Sequence, residues 1–312
     1  MGAQTLSSRA IIGEFYRTLE QEDHLALASM ISMIFTSDQD GEQYNWLGQS
    51  PQMREWIGGR NAKGFRENGI FIKNKHFEST IEVLVSELRR DKTGQIMVRI
   101  RELAERTNSH WIKLLSALII NGESTPCYDN QFFFDTDHQE GDSGIQSNIV
   151  SVDISTLPVE IHGTITNPSI AEFQLSVLEG ITRMCSFLDD VGEPMNETAN
   201  NFVVCVPTSL YMVANDAFTR RVTDLEQRIP NNLNISFVQN TRLNAWTDQF
   251  AIFRTDGSVK AFIRQQETNP TVKAKAEGSE FEFDNDMHQY GVDAWRNVGY
   301  GYWQYAVLVK MI

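Results

Sequence analysis

Apolar positions along the chain change period several times, and each change marks a predicted element. Ile96, Ile100, Leu103, Leu114, Leu115, Leu118 and Ile119 recur at threes and fours, with Trp111 beside the stripe. Arg99, Arg101, Glu102, Glu105, Arg106 and Lys113 fill the opposite face. The pattern predicts a helix over 94–122, roughly 40 Å long at about 1.5 Å per residue, with Gly122 as its stop signal and Thr107-Asn108-Ser109 as the place for a kink. Before it, Ile70, Ile72, Phe77, Ile81, Val83 and Val85 alternate in part, which predicts an extended run over 65–85. Met53–Gly58 would pair back on that run through a turn starting at Gly58-Gly59-Arg60-Asn61. The product is a long, charged, two-stranded hairpin with too little apolar surface for a core of its own.

The rest of the chain divides in the same way. Ile11, Ile12, Phe15 and Leu19 form a helical stripe with no evident partner in the chain, so residues 1–43 read as a detachable amphipathic arm. On that reading, deleting residues 1–35 would leave a folded body. Phe132-Phe133-Phe134 reads as a short strand. Asn167 as N-cap and Pro168 at the first position start a helix with Ile170, Phe173, Val177, Ile181, Met184 and Leu188 on its apolar face. Phe202–Val206 is a buried strand, followed by a helix presenting Leu210, Val213, Ala217, Val222, Leu225 and Ile229. A strand follows at Asn234–Val238, then a hairpin of Phe250–Phe253 and Val259–Ile263 around Thr255-Asp256-Gly257-Ser258. Phe281 and Phe283 alternate as in a strand, and Trp303–Val309 is the last one.

Composition narrows the picture. A chain of 312 residues makes one large or two ordinary domains. Its net charge of −14 argues against a nucleic-acid-binding surface, which needs Lys and Arg in excess. The charge is also uneven. Basic residues outnumber acidic ones from Arg54 to Lys113, whereas Arg183 is the one Lys or Arg from Glu123 to Thr219. An assembly in which one half meets the other half of a neighbour could use that division. Cys127, Cys185 and Cys205 are odd in number and lack C-x-x-C spacing, as expected of reduced thiols. No apolar run approaches the ~20 residues of a membrane span, and no signal peptide is expected.

Candidate chemistry is sparse. Asp135, Asp137 and His138 are the best metal-like cluster and would serve a metal-dependent hydrolase. No second ligand set accompanies them, so hydrogen bonding or a solvated turn is the favoured role. Cys127 with His110 or His138 could be drawn as nucleophile and base, but scattered cysteines and histidines produce such pairs by chance. No cofactor-binding loop is present.

Several segments together carry a family resemblance. Tyr44-Asn45-Trp46-Leu47-Gly48, Met53-Arg54-Glu55-Trp56-Ile57-Gly58, residues 73–81 and residues 127–138 resemble the major head subunit of Mu-like phages and prophages, the gpT family. The resemblance implies the α+β Hong Kong 97-type capsid fold. It divides the chain into an N-terminal arm (1–43), an extended hairpin (44–93), a peripheral domain with a spine helix (94–166), an axial domain (167–270) and a return to the peripheral domain (271–312). It implies a structural subunit of the virion, not an enzyme, that passes through the host cytoplasm during assembly. Its partners would be copies of itself in hexamers and pentamers, scaffold, protease and portal proteins, and packaged double-stranded DNA held without sequence-specific contacts. An encapsulin-like shell protein is the alternative. Interface candidates are Trp46, Arg54, Trp56, Arg60, Lys63, Arg66, Lys73 and Lys75, with core packing an equal role for the tryptophans. A Lys–Asn cross-link at Lys73-Asn74-Lys75 would need a carboxylate base in a dry pocket that nothing in the sequence specifies, so an exposed charged strand is expected there.

Overall fold

The structure is a computed structural model, described over residues 7–21, 26–45, 69–91, 94–219 and 233–312. Within these, helices α1 (Ser8–Leu19) and α2 (Ala26–Ile31) lead into strand β1 (Ser32–Thr36), followed by β2 (Gly41–Tyr44), β3 (Ile70–Lys73) and β4 (Lys75–Leu84). A short helix α3 (Val85–Arg90) precedes the long helix α4 (Gln95–Ile120). Next come β5 (Ile149–Val152), α5 (Ile170–Cys185), β6 (Asn201–Val206), α6 (Tyr211–Thr219), β7 (Asn234–Gln239) and β8 (Gln249–Arg254). The chain ends with β9 (Phe262–Gln266), β10 (Thr271–Lys275), α7 (Glu280–Asn285), β11 (Met287–Tyr300) and β12 (Ala306–Met311).

The first sheet is built on β11. β4 pairs with it antiparallel from Met287 to Arg296. On its other edge β10 and β9 follow one another, Lys275 opposite Gln289 and Phe262 opposite Tyr300. Between them the chain bulges, with Glu267 N and Thr268 N both donating to Trp295 O. β1 then adds to β9 in parallel. Burial alternates along β11, and the inward set is His288, Tyr290, Val292, Ala294, Arg296, Val298 and Tyr300. That set mixes aromatic, small and charged residues, so period-two reading of hydrophobicity misses the strand.

The second sheet has the order β5-β12-β8-β6-β7. β6, β8 and β12 are almost wholly buried, which is why they read as continuous apolar runs. The hairpin expected around Asp256-Gly257 does not form, because β8 lies in the second sheet and β9 in the first. The turn, with Gly257 at φ +83°, instead carries the chain from one sheet to the other. β12 likewise sits between β5 and β8, so the end of the 271–312 segment joins the sheet of β6 and β8. The 167–270 segment also ends in the first sheet, through β9.

α4 packs on both parts. Its first half places Ile96, Ile100, Leu103 and Ala104 in a cluster with Ile11, Phe15, Val83, Leu88, Tyr290 and Val292. Its second half places Trp111, Leu115 and Ile119 in the larger core with Phe133, Phe262 and Tyr300. Asp91 caps its N-terminus, accepting from the backbone N–H of Gly94, Gln95 and Ile96 at 2.8, 3.1 and 3.0 Å. The helix runs without interruption through Thr107–Ser109.

Two expectations fail here. α1 is not detachable: its stripe is covered by α4, and Glu14 pairs with Arg101, which with Arg17 holds the Glu14 carboxyl below its usual range. Asn108 Nδ2 reaches Leu19 O at 2.9 Å, and Ser8 Oγ lies 2.8 Å from the Tyr290 hydroxyl. Nor is β4 the free arm of a hairpin, since it is zipped to β11 over ten residues, while β3 pairs with β2. The proposed pairing partner, 53–58, lies outside the described residues.

Smaller differences have local causes. Ser169, not Asn167, caps α5 in a capping box with Glu172. Phe281 and Phe283 lie on α7, started by the Ser279 cap. Phe132–Phe134 makes a single bridge, Phe132 to Pro126, with Phe133 and Phe134 buried. Trp303–Tyr305 is a 3-10 turn before β12.

Replacing Phe15 by Ala should lower stability in urea by about 3–5 kcal/mol, because it empties a buried site between α1, α4 and β11; a detachable arm would show almost no change. Gly180 lets α5 lie close on the second sheet, since a Cβ there would stand 2.6 Å from Ile252 Cδ1 and 2.8 Å from Val309 Cγ2. Gly180→Val should therefore cost about 1–3 kcal/mol through overpacking, read in the same unfolding assay.

Candidate functional site

Of the interface candidates, Trp46, Arg54, Trp56, Arg60, Lys63 and Arg66 lie outside the described residues. Lys73 is exposed and pairs with Asp40 of its own chain at 3.3 Å, both side chains being mostly in solvent. Such a pair contributes little, about 0–1 kcal/mol. Lys75 is exposed at the start of β4, opposite Arg296. Between them Asn74 is buried. Its Nδ2 donates to Gln39 O at 2.7 Å, and its Oδ1 accepts from Gln265 Nε2 at 2.7 Å. It is a structural clamp joining the β1–β2 connection to β9, and it is not presented to a neighbouring lysine.

The metal-like cluster read from Asp135, Asp137 and His138 does not assemble. Asp137 is exposed, and partial desolvation and a hydrogen bond with Asp135 hold its carboxyl above the usual range. Asp135 accepts from the backbone N–H of Phe132 and Thr136. His138 turns inward, fully buried and stacked on Trp303 with ring centroids 4.0 Å apart. Its partner is Asp129, Nδ1 to Oδ2 at 2.6 Å.

Asp129 also accepts from Cys127 Sγ at 2.8 Å and from Gln131 N at 3.2 Å. The tight turn that makes this possible has Asn130 at φ +69°, a conformation Asn tolerates. Cys127, Asp129 and His138 thus bring three ligand-type atoms within 4.8 Å of one another. Asp129 meets Cys127 and His138 at hydrogen-bond lengths, 2.8 and 2.6 Å, shorter than the roughly 3.3–3.7 Å expected between ligands around a tetrahedral metal. Burial and the Asp129 charge push the Cys127 thiol well above its usual pKa, which makes it a donor and not a nucleophile. Next to it, Tyr128 and Gln304 both donate to the buried Glu140. The cluster pins the 127–140 loop onto Trp303, at the start of the last strand. Asp129 was visible in the sequence two residues after Cys127, but only the αL turn shows that it, not Asp135, meets His138.

A second arrangement has no signal in the sequence. Arg264 on β9 and Arg296 on β11 are buried, and their guanidiniums lie 5.6 and 4.9 Å from the Trp111 ring of α4. Arg296 Nη2 donates to Thr107 O at 2.9 Å. Arg296 also lines a groove of about 390 Å³ between α4 and the β4–β11 face. His110 lines it, edge-on to Phe77, and burial with Arg296, Lys113 and Arg242 nearby lowers its pKa to about 4, so it is neutral at pH 7.

Asp129→Asn keeps the size of the side chain but removes an acceptor shared by two buried donors. It should cost about 1–3 kcal/mol, whereas Asp137→Asn at the exposed position should stay within about 0.5 kcal/mol. Urea unfolding of the two variants distinguishes the observed cluster from the one expected from sequence.

Known proteins give this arrangement a context. The family described as Mu-like prophage major head subunit gpT matches residues 8–157 and 229–312. The major head subunit of the Mu-like prophage FluMu of Haemophilus influenzae is 24% identical over 281 residues, 90% of this chain and 65% of that protein. The major capsid protein of Escherichia phage Mu is 31% identical over 145 residues, 44% of this chain and 48% of that protein. The chain therefore spans about half to two-thirds of the length of these relatives. In three dimensions a chain of the bacteriophage JBD30 procapsid superposes with a TM-score of 0.56 at 23% identity, covering 96% of this chain and 72% of that one. The architecture is the α+β capsid fold of tailed phages, and the chain belongs to the Mu-like prophage major head subunit gpT family.

Proposed function

We propose that the chain is a major capsid subunit that self-assembles into the head of a Mu-like phage and encloses its DNA without doing covalent chemistry. The observation that carries this reading is the family match on both sides of residues 158–228, joined to the capsid fold of the whole chain. The elements around α4 and β11 would form the peripheral part of a capsomer, and the second sheet with α5 and α6 the axial part. Copies would form hexamers and pentamers, each contact weak and closure of the shell multiplying them. A net charge of −14 suits a wall that must not hold DNA tightly. The segment carrying Trp46, Arg54, Trp56, Arg60, Lys63 and Arg66, with Lys73 and Lys75 at its base, would lie on a neighbouring copy. Its aromatics would supply affinity and its charges register and encounter rate. Scaffold, protease and portal proteins would act during assembly. No helix among the described residues is long and apolar enough to cross a membrane.

Electron microscopy of the overexpressed protein, with and without a co-expressed scaffold, tests the proposal. Closed shells of uniform curvature are expected; dispersed monomers under every condition would sink it.

A further inference from the structure

Arg264 and Arg296 present an energetic problem. Both are nearly out of solvent, yet neither makes an ion pair among the described residues. Each Nε is buried without a hydrogen-bond partner. Burying a charge is costly unless an opposite charge or a full set of hydrogen bonds compensates it. Burial alone lowers the pKa of both guanidiniums, Arg296 to about 10, with no carboxylate acting in the other direction. Two acids line the groove, and neither pairs with these arginines: Asp293 is engaged by Lys273 at 2.7 Å and His76 at 3.1 Å, and Glu78 accepts from the Thr80 hydroxyl at 3.0 Å.

The surroundings add more positive charge. Lys113 and Arg242 line the same groove, exposed and without an ion-pair partner among the described residues. Phe77, Leu103 and Val292 give it apolar walls. The chain has a complementary feature elsewhere. The loop between β5 and α5 holds Glu160 and Ile161 in solvent, Ile161 being 73% exposed, and Glu160 has no polar partner among the described residues. It lies within the stretch from Glu123 to Thr219, in which Arg183 is the one Lys or Arg.

We propose that the groove between α4 and the β4–β11 face is a carboxylate-binding site, and that its occupant is the 157–167 loop of a second copy of this chain. The Glu160 carboxylate enters between Lys113 and Arg242 and neutralises the field of Arg296, while Ile161 meets the apolar wall. The inference rests on the proposed shell, since it needs copies side by side. It differs from the docking of the basic 54–66 segment, which takes no part in it. A buried cation without an ion-pair partner among the described residues also has a consequence for assembly: association relieves a desolvation penalty that folding alone leaves in place.

The test is a charge swap in the full chain, read by sedimentation and electron microscopy at one salt concentration. Lys113→Glu with Arg242→Glu, and separately Glu160→Lys, should each cut the fraction of chain in shells at least tenfold while leaving the thermal unfolding midpoint of the subunit unchanged. Combining all three should restore at least half of the wild-type fraction. Arg9→Glu with Arg99→Glu, an equal change in net charge away from the groove, should assemble normally. Normal shells from the groove variant would overturn the inference and leave the capsid reading standing. Loss with the groove variant but normal shells with Glu160→Lys would overturn the named occupant, as would a triple variant no better than its parents. Absence of shells from the wild-type chain would overturn the capsid reading and this inference with it.

Discussion

The packing of α4 across the inner face of β11 is the contact on which the rest of the structure depends. β11 is paired on both edges, so four other strands take their positions from it. α4 in turn is buried along one side at both ends, first with α1 and β4, then with the core that contains the second sheet. A helix of 26 residues is longer than one small core needs. Here its length serves to tie two hydrophobic clusters together, and displacing it would open both.

This tie changes how the N-terminal segment and the strand before α4 would contribute to the proposed assembly. Helix α1 is clamped to α4 and β11, and β4 is part of the β11 sheet over ten residues. In the proposed capsid subunit, β2 and β3 on either side of residues 46–68 are paired with each other, and β4 is held by β11. Contacts made on a neighbour would then report on the orientation of the whole α4–β11 unit.

Buried polar groups fall into two kinds in this molecule. Asp129, Cys127 and Asn74 find partners within the chain, as does His138 through its Nδ1, and they fix the loops that join the sheets. Arg264 and Arg296 keep Nε donors without a partner among the described residues, and Arg296 does so at a groove open to the outside. The first kind specifies one packing of the monomer. The second leaves energy available to a partner, which fits the proposed assembly of many copies.

The amino-acid sequence by itself determined the elements whose surroundings are uniformly apolar or regularly amphipathic. α4 was legible because its stripe repeats over seven turns, and β6 because a strand buried on both faces reads as Phe202-Val203-Val204-Cys205-Val206. Family membership was legible too, in segments such as residues 127–138 that carry several specific residues in order. The tertiary structure alone decided the pairings. Thr255-Asp256-Gly257-Ser258 has the residues of a hairpin turn, yet its two flanking strands belong to different sheets, because Phe253 and Phe262 pack across the core and do not sit in register. β11 was hidden because its inward face includes His288 and Arg296, and the Arg296 guanidinium is covered by Trp111, 185 residues earlier in the chain. His138 found Asp129 and not Asp135 because a left-handed Asn130 folded the loop back. Local pattern reports what a residue can bury against. Which surface it meets is set by contacts between segments far apart in the chain, and those exist only once the chain has folded.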